Sequence, residues 1–367
     1  MKKIMSAQGG SALGGKKTLS ILIASFLVLI FSGCTSTKTA TVPTFTISQS
    51  IWKSIDGGAQ WKVQNKGEGK ANIAEADVLS FAINPYDANN LYVGLRKGGI
   101  LKTRNGGETW EFMNFVSEKV YGLAINPSDG RTLYASGVWQ GRGKIFKTED
   151  DGANWTEIYT SPTDGPLVIS LNIDKKNSKI IYVSTSEKEV IKSMDGGATW
   201  RNIYLSDDPI VKIVLDSTNS NLVYFLTNGG KILRSKDAGE KIEDISENIN
   251  KESFSYGNGQ YKILKTDPTR ANTVYLAGAD GIMKSNDGGE KWEEVLALNN
   301  PENFPIRALA INPKNSSEIV YAMDQATYKS IDSGKTWKTF QFNNKMKANI
   351  LEYNPTEGTE LYIGFTK

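Results

Sequence analysis

The sequence predicts an all-β protein, a seven-bladed β-propeller of four-stranded antiparallel blades, closed by pairing the N- and C-terminal strands in one blade. Three observations carry this. An eight-residue pattern, Ser/Thr-x-Asp-x-Gly-x-x-Trp, recurs seven times, its starts separated by 49, 45, 45, 42, 50 and 45 residues. The segments between copies repeat as well, and a four-strand unit of ~45 residues is the period of a propeller blade. The repeat region also begins and ends on complementary half-blades.

The copies are SIDGGAQW from Ser54, TRNGGETW from Thr103, TEDDGANW from Thr148, SMDGGATW from Ser193, SKDAGEKI from Ser235, SNDGGEKW from Ser285 and SIDSGKTW from Ser330. The Asp carboxylate can fold back onto backbone N–H groups of a tight turn, and Asn105 in the second copy can do the same. The Gly can take positive φ. The Trp supplies a large apolar body with one N–H to satisfy, suited to wedging between sheets. Six of the eight tryptophans end a copy, and the fifth copy has Ile242 instead.

VLSFAINPYDANNLYVGLRKGGILKT from Val78 is the clearest intervening unit, matched from Val120 and Ile306 and more loosely from Leu167, Ile210 and Tyr261. Each unit reads as an apolar strand, an Asn/Asp-Pro turn, a Tyr-containing strand and a third strand into the eight-residue turn. A fourth strand starts at the Trp. The chain enters at Phe45 with third and fourth strands only, and ends with first and second strands over 348–354 and 360–366. Together these halves complete a seventh blade and remove exposed sheet edges. The expected organisation is a signal over 1–33, a tether over 34–47 and the propeller over 48–367.

Composition closes several routes to function. With no His, the chain has no Ser-His-Asp or Cys-His catalysis and no His-ligated zinc. One Cys forms no intramolecular disulfide. Lys2, Lys3, Lys16 and Lys17 precede the apolar run LSILIASFLVLIF, ~13 residues and shorter than the ~20 that span a bilayer. Phe31-Ser32-Gly33-Cys34 follows and resembles the bacterial lipoprotein box, which implies lipidation of Cys34, export and anchoring at the cell envelope. An ordinary signal or an uncleaved anchor with an idle thiol is the alternative. The Thr-rich stretch from Thr35 reads as a flexible tether of roughly 40 Å at ~3.4 Å per residue. Loss of the signal's four lysines, from a stretch without Asp or Glu, turns the formal charge of +3 into −1. The basic balance belongs to the export signal, and nucleic acid is not an expected partner.

The eight-residue turns resemble the Asp-box, or BNR repeat, of sialidases, sortilin-type propellers, xyloglucanases and photosystem II stability/assembly factors. The last family is most similar in layout: a single exported ring with repeats like Asn84–Trp110. That resemblance implies a non-enzymatic scaffold for a membrane complex. It also implies that Asp56, Asn105, Asp150, Asp195, Asp237, Asp287 and Asp332 form turns rather than a catalytic or metal site. A sialidase would bring an early Phe/Tyr-Arg-Ile-Pro motif, which is missing here, and xyloglucanases work in a cleft between two propellers. An exo-acting glycosidase or a carbohydrate-binding module is the alternative function.

Links between second and third strands are expected on the face away from the boxes. There, Arg96, Lys97, Trp139, Arg142 and Lys144 fall in adjacent blades. They are read either as a basic, Trp-anchored patch for a protein client or as ordinary packing and solvated charge. Both ends of the repeat region lie on this face, which suits a membrane-embedded client. No cofactor or metal is expected, and the chain is expected to be a monomer.

Overall fold

The computed structural model describes residues 49–68, 73–97, 99–115, 119–162, 164–249, 261–301 and 303–367. The expected export signal, Cys34 and the expected tether lie outside them. Among the described residues, 28 strands form seven four-stranded antiparallel sheets, with one 3-10 turn at Ser246–Asn248. No described helix is long and apolar enough to cross a membrane.

Blade 1 comprises Val78–Ile83, Leu91–Leu95, Ile100–Thr103 and Glu111–Phe112. Blade 2 comprises Lys119–Ile125, Leu133–Trp139, Arg142–Thr148 and Thr156–Thr160. Blade 3 comprises Val168–Ile173, Ile181–Thr185, Glu189–Ser193 and Arg201–Leu205. Blade 4 comprises Ile210–Leu215, Val223–Thr227, Ile232–Ser235 and Glu243–Asp244. Blade 5 comprises Tyr261–Thr266, Val274–Gly278, Gly281–Ser285 and Glu293–Val295. Blade 6 comprises Ala308–Ile311, Ile319–Ala322, Ala326–Ser330 and Lys338–Gln341. Blade 7 joins Lys347–Tyr353 and Leu361–Thr366 to Ile51–Ser54 and Lys62–Val63. The expected closure is therefore present, with Ile51 opposite Gly364 and Ser54 opposite Leu361. The third strand of this blade begins at Ile51; residues 45–48, which the sequence reading placed in it, are outside the described set.

Second strands such as LYVGL and VYFLT are buried along their whole length. They lie inside a sheet covered on both faces by neighbouring blades, so they read as continuous apolar runs rather than alternating ones. The core is accordingly divided into seven apolar clusters, each drawn from two adjacent blades. Fourth strands are the outer rim, short and largely exposed. First strands line the centre, and six of the seven carry a bulge after their first residue or two, as between Val78 and Ser80.

The eight-residue turns are built alike in all seven blades. The opening Ser or Thr Oγ accepts the N–H of the fifth residue at 2.7–3.1 Å. The fourth residue has φ between +58° and +80°, and the fifth, always Gly, between +86° and +95°. Asp151, Ala238 and Ser333 tolerate the fourth position because it is ordinary left-handed backbone. The fifth position lies beyond it. A Cβ there would also strike the preceding blade, as at Gly239, where it would lie 2.8 Å from Ile203 Cδ1.

A seam between blades runs through the same turns. The fourth residue's N–H bonds the first-to-second strand turn of its own blade at 2.7–3.0 Å. In five of the seven turns its carbonyl or side chain receives groups from the blade before. Tyr134 and Tyr182 donate to the carbonyls of Gly196 and Ala238 at 3.1 and 2.7 Å, and Tyr362 donates to that of Gly106 at 3.2 Å. Lys192 and Arg234 donate to Ala238 and Gly288 at 2.7 and 2.6 Å. Tyr92 and Lys102 both reach the Asp151 carboxylate. Burial pushes the Tyr134 hydroxyl up to about 12, so it stays a donor. Four box tryptophans reach the preceding blade: Trp110 Nε1 donates to Gln64 O, Trp200 to Ile158 O, Trp337 to Leu296 O and Trp61 to Thr327 Oγ1, at 2.8–3.2 Å.

Two adjacent substitutions separate backbone strain from loss of a side chain. Gly239→Ala is expected to destabilise the propeller by about 2 kcal/mol, from strain plus the clash with Ile203. Ala238→Gly is expected to be neutral or stabilising by up to about 1 kcal/mol, because glycine relieves the left-handed cost. Denaturant melts of the two variants check the opposite signs.

Candidate functional site

Four-stranded meanders give the ring two faces. The boxes and the first-to-second strand turns share one, as their hydrogen bonds show. The hairpins between second and third strands occupy the other, with Arg96 and Lys97 in blade 1 and Trp139, Arg142 and Lys144 in blade 2. Gln140 and Gly141, at φ +54° and +76°, make the two-residue turn between Trp139 and Arg142, which are direct cross-strand partners. This is the hairpin geometry that matches strand twist. Trp139 is half-buried and Lys97 exposed.

Most of the expected cations on this face have acidic or carbonyl partners. Arg96 Nε lies 2.8 Å from Asp77 Oδ2, and Lys144 Nζ 2.6 Å from Glu157 Oε2. Arg142 Nη2 donates to the Ser161 carbonyl, while its Nε has no hydrogen bond and lies 3.6 Å from Asp164. Asp164 is 89% exposed. The cations are thus held in separate ion pairs, Arg96 in blade 1 and Arg142 and Lys144 in blade 2, and the exposed pairs are each worth little in water.

The first strands enclose a central channel that sequence reasoning did not single out. On the hairpin side it holds a cavity of about 650 Å³, and on the box side one of about 590 Å³. The two meet at a waist formed by Phe81, Leu123, Leu171, Lys212, Lys265 and Glu352. Lys265 is paired with Glu352 across the bore, from blade 5 to blade 7. Glu352 is the one carboxylate among the described residues lining either cavity. Aligning the seven first strands would have exposed these residues, because their counterparts in other blades are mostly small, apolar or proline.

The box side chains are occupied within their turns. Oδ1 of Asp56, Asp150, Asp195, Asp237, Asp287 and Asp332 accepts the Ser or Thr hydroxyl two residues earlier and the N–H four residues later. Asn105 does the same through its amide oxygen. Among the described residues, no group of three or more Cys, Asp or Glu is placed to hold a metal ion.

Seven such turns on seven closed sheets define an Asp-box propeller. The family described as photosynthesis system II assembly factor YCF48 matches residues 44–304, and the chain belongs to that family. The xyloglucanase Xgh74A of Acetivibrio thermocellus is similar at 29% identity over 167 residues, 34% of this chain. The matched stretch spans 20% of that enzyme's length. The GH74 xyloglucanase from Xanthomonas campestris has a like fold, with a TM-score of 0.67 at 15% identity, over 86% of this chain and 52% of that one. A YCF48 bound to D1 peptide gives 0.59 at 18% identity, over 80% of this chain and 93% of that one.

Acid checks the box turns of this architecture. Hydrogen bonds from Thr199 and Ser193 push the Asp195 carboxyl from 3.8 down to about 2, and Asp150 and Asp332 move alike. A carboxyl with a folded pKa below its unfolded one adds stability above about pH 4 and loses it as pH falls toward 2. The melting temperature is expected to drop across that window. Asp195→Asn, an amide like Asn105, is expected to make the drop shallower.

Proposed function

We propose that the chain is a non-catalytic scaffold that binds a protein client at the cell envelope, held there by lipid on Cys34. The observation that carries this reading is the blade 2 hairpin. Trp139 offers a half-buried aromatic surface beside Arg142, whose Nε is itself buried without a hydrogen bond and lies 3.6 Å from the highly exposed Asp164. A large rigid aromatic next to an exchangeable guanidinium is the usual composition of an interface anchor. Membership of the assembly-factor family supports the reading, as does a like-folded YCF48 that binds a peptide. Gln49 and Lys367 both lie on the hairpin face, so a membrane-embedded client fits the same side.

A second reading, glycoside hydrolysis, is favoured by the similarity to xyloglucanases. Hydrolysis with two carboxylates needs a pair roughly 5–9.5 Å apart. The described channel lining offers Glu352 alone, and that residue is engaged by Lys265. Release of sugar from xyloglucan oligosaccharides by the purified chain would establish the hydrolase and displace the scaffold reading.

Crosslinking on intact cells with wild type and with Trp139→Ala plus Arg142→Glu tests the scaffold. Tenfold or greater loss of a specific client in the variant is expected, and identical partner sets would refute the assigned surface. Cys34→Ala is expected to shift the chain from the membrane pellet to the soluble fraction. A variant that pellets like wild type would remove the lipid anchor from the reading.

A further inference from the structure

Repeats give this propeller an internal reference: what six blades do is what the fold requires, and a departure in the seventh is additional. The third residue of the bulged first-strand segment is Ser80, Gly122, Ser170, Ile263, Ala308 and Ile350 in six blades, and Lys212 in blade 4. Two residues on, Ala82, Ala124, Asn172, Val214 and Ala310 give way to Lys265 in blade 5 and Glu352 in blade 7. At the box-side mouth, Pro85, Pro127, Pro268, Pro313 and Pro355 give way to Lys175 in blade 3 and Ser217 in blade 4. The waist and the box-side mouth therefore carry three lysines from neighbouring blades with a single acid opposite them, and Lys262, Arg307 and Lys347 add further cations on the hairpin side.

The charge there is unbalanced. Lys265 takes Glu352. Lys212 lies at the same waist with no hydrogen bond or ion pair to a described residue, facing Lys265 as a like charge and Glu352 as an opposite one that Lys265 already engages. Lys212 is half-buried and lines both cavities, and burial holds its ammonium below the usual lysine range. Burial acts on Lys175 in the same direction. Ammonium groups that share one carboxylate in such a place are under-compensated unless a further anion meets them. The fold itself does not call for the charge, since Ile serves at the same position in blades 5 and 7.

We propose that the waist of the channel is an anion site, in which the Lys212 ammonium, with Lys265 and Lys175 beside it, binds a small oxyanion of the carboxylate or phosphate class. Cavities of about 650 and 590 Å³ on either side leave room for such a group and an approach from both faces. Glu352 sets the selectivity: it neutralises Lys265 and repels a second anion. The site is independent of the hairpin surface and of any client bound there.

The test is titration of the full chain in detergent with inorganic phosphate, and separately with acetate, at ionic strength held constant with sodium chloride. Calorimetry and melting temperature are read. Saturable binding with a rise in melting temperature is expected. Phosphate alone would identify a phosphate-class site, and equal response to both would identify a general oxyanion well. Lys212→Ile is expected to weaken binding at least tenfold while melting at or above the wild-type temperature in anion-free buffer. Lys212→Arg is expected to retain binding, and Glu352→Gln to tighten it. No saturable binding to wild type, or unchanged binding by Lys212→Ile, overturns the proposal. If Lys212→Ile does not fold, Lys212→Arg and Glu352→Gln decide it, since a site elsewhere would leave Glu352→Gln with wild-type affinity.

Discussion

Every sheet in this molecule is apolar on both faces, and that constraint governs the rest. A second strand such as Val223–Thr227, buried throughout, is stable only with a neighbour on each side. An open row of blades would leave two faces uncovered, so the row closes. Closure is made by hydrogen bonds rather than by a covalent link. Ile51–Ser54 pairs with Leu361–Thr366, and Trp52 packs against Phe342 and Phe365 at the join. The ends of the repeat region thus behave as one more blade interior.

The seven turns serve that closure. Each opening hydroxyl and its Asp or Asn satisfy the turn's own N–H groups, and in five blades the fourth residue's carbonyl receives Tyr, Lys or Arg from the blade before. The cation and the Tyr that supply these bonds are cross-strand neighbours, as in Tyr182 with Lys192 and Tyr92 with Lys102, with the ammonium 5.2 and 5.4 Å from the ring centroid. Blade 2 shows how far the pattern bends. Asp151 stands where glycine is commoner, and its carboxylate collects Tyr92, Lys102 and Arg104 together. These contacts hold its carboxyl below the usual range against the opposing pull of burial.

Blade count, strand order and the shared seventh blade were all legible in the sequence, because the Ser/Thr, Asp and Gly of each box answer to purely local backbone geometry. Interactions that depend on register between strands were not. Lys144 looked like a free cation, yet its partner Glu157 sits across a hairpin whose register shifts at a bulge between Glu157 and Tyr159. Asp77 pairs with Arg96 from 19 residues away, across the start of blade 1. Trp139 was legible as a tryptophan outside the boxes, and its turn-flanking position with Arg142 follows from Gln140-Gly141. The lysines of the bore were visible in principle, but only after all seven first strands are set in register, and their common direction comes from the ring.

A ring of this kind separates what repeats from what does not. The repeated residues (Ser/Thr, Asp, Gly, Trp, and the Tyr–Lys pair) are consumed in seams and turns, so little chemistry is left to them. The residues free to act are those that only one blade carries, and in this chain they fall in two places: the Trp139 hairpin on one face and the Lys212–Lys265–Glu352 waist on the axis. The hairpin is a two-residue turn at a sheet end that carries Trp139 and Arg142 as cross-strand partners on one face of the ring. The waist is carried by first strands whose positions are fixed from both sides by neighbouring blades, so the three charged stems start from fixed points on one bore. An aromatic and a guanidinium at an open sheet end suit a macromolecular client, whereas charges lining a closed bore suit a small ligand of opposite sign. The same closure that stabilises the ring therefore also sets the charge of its axis.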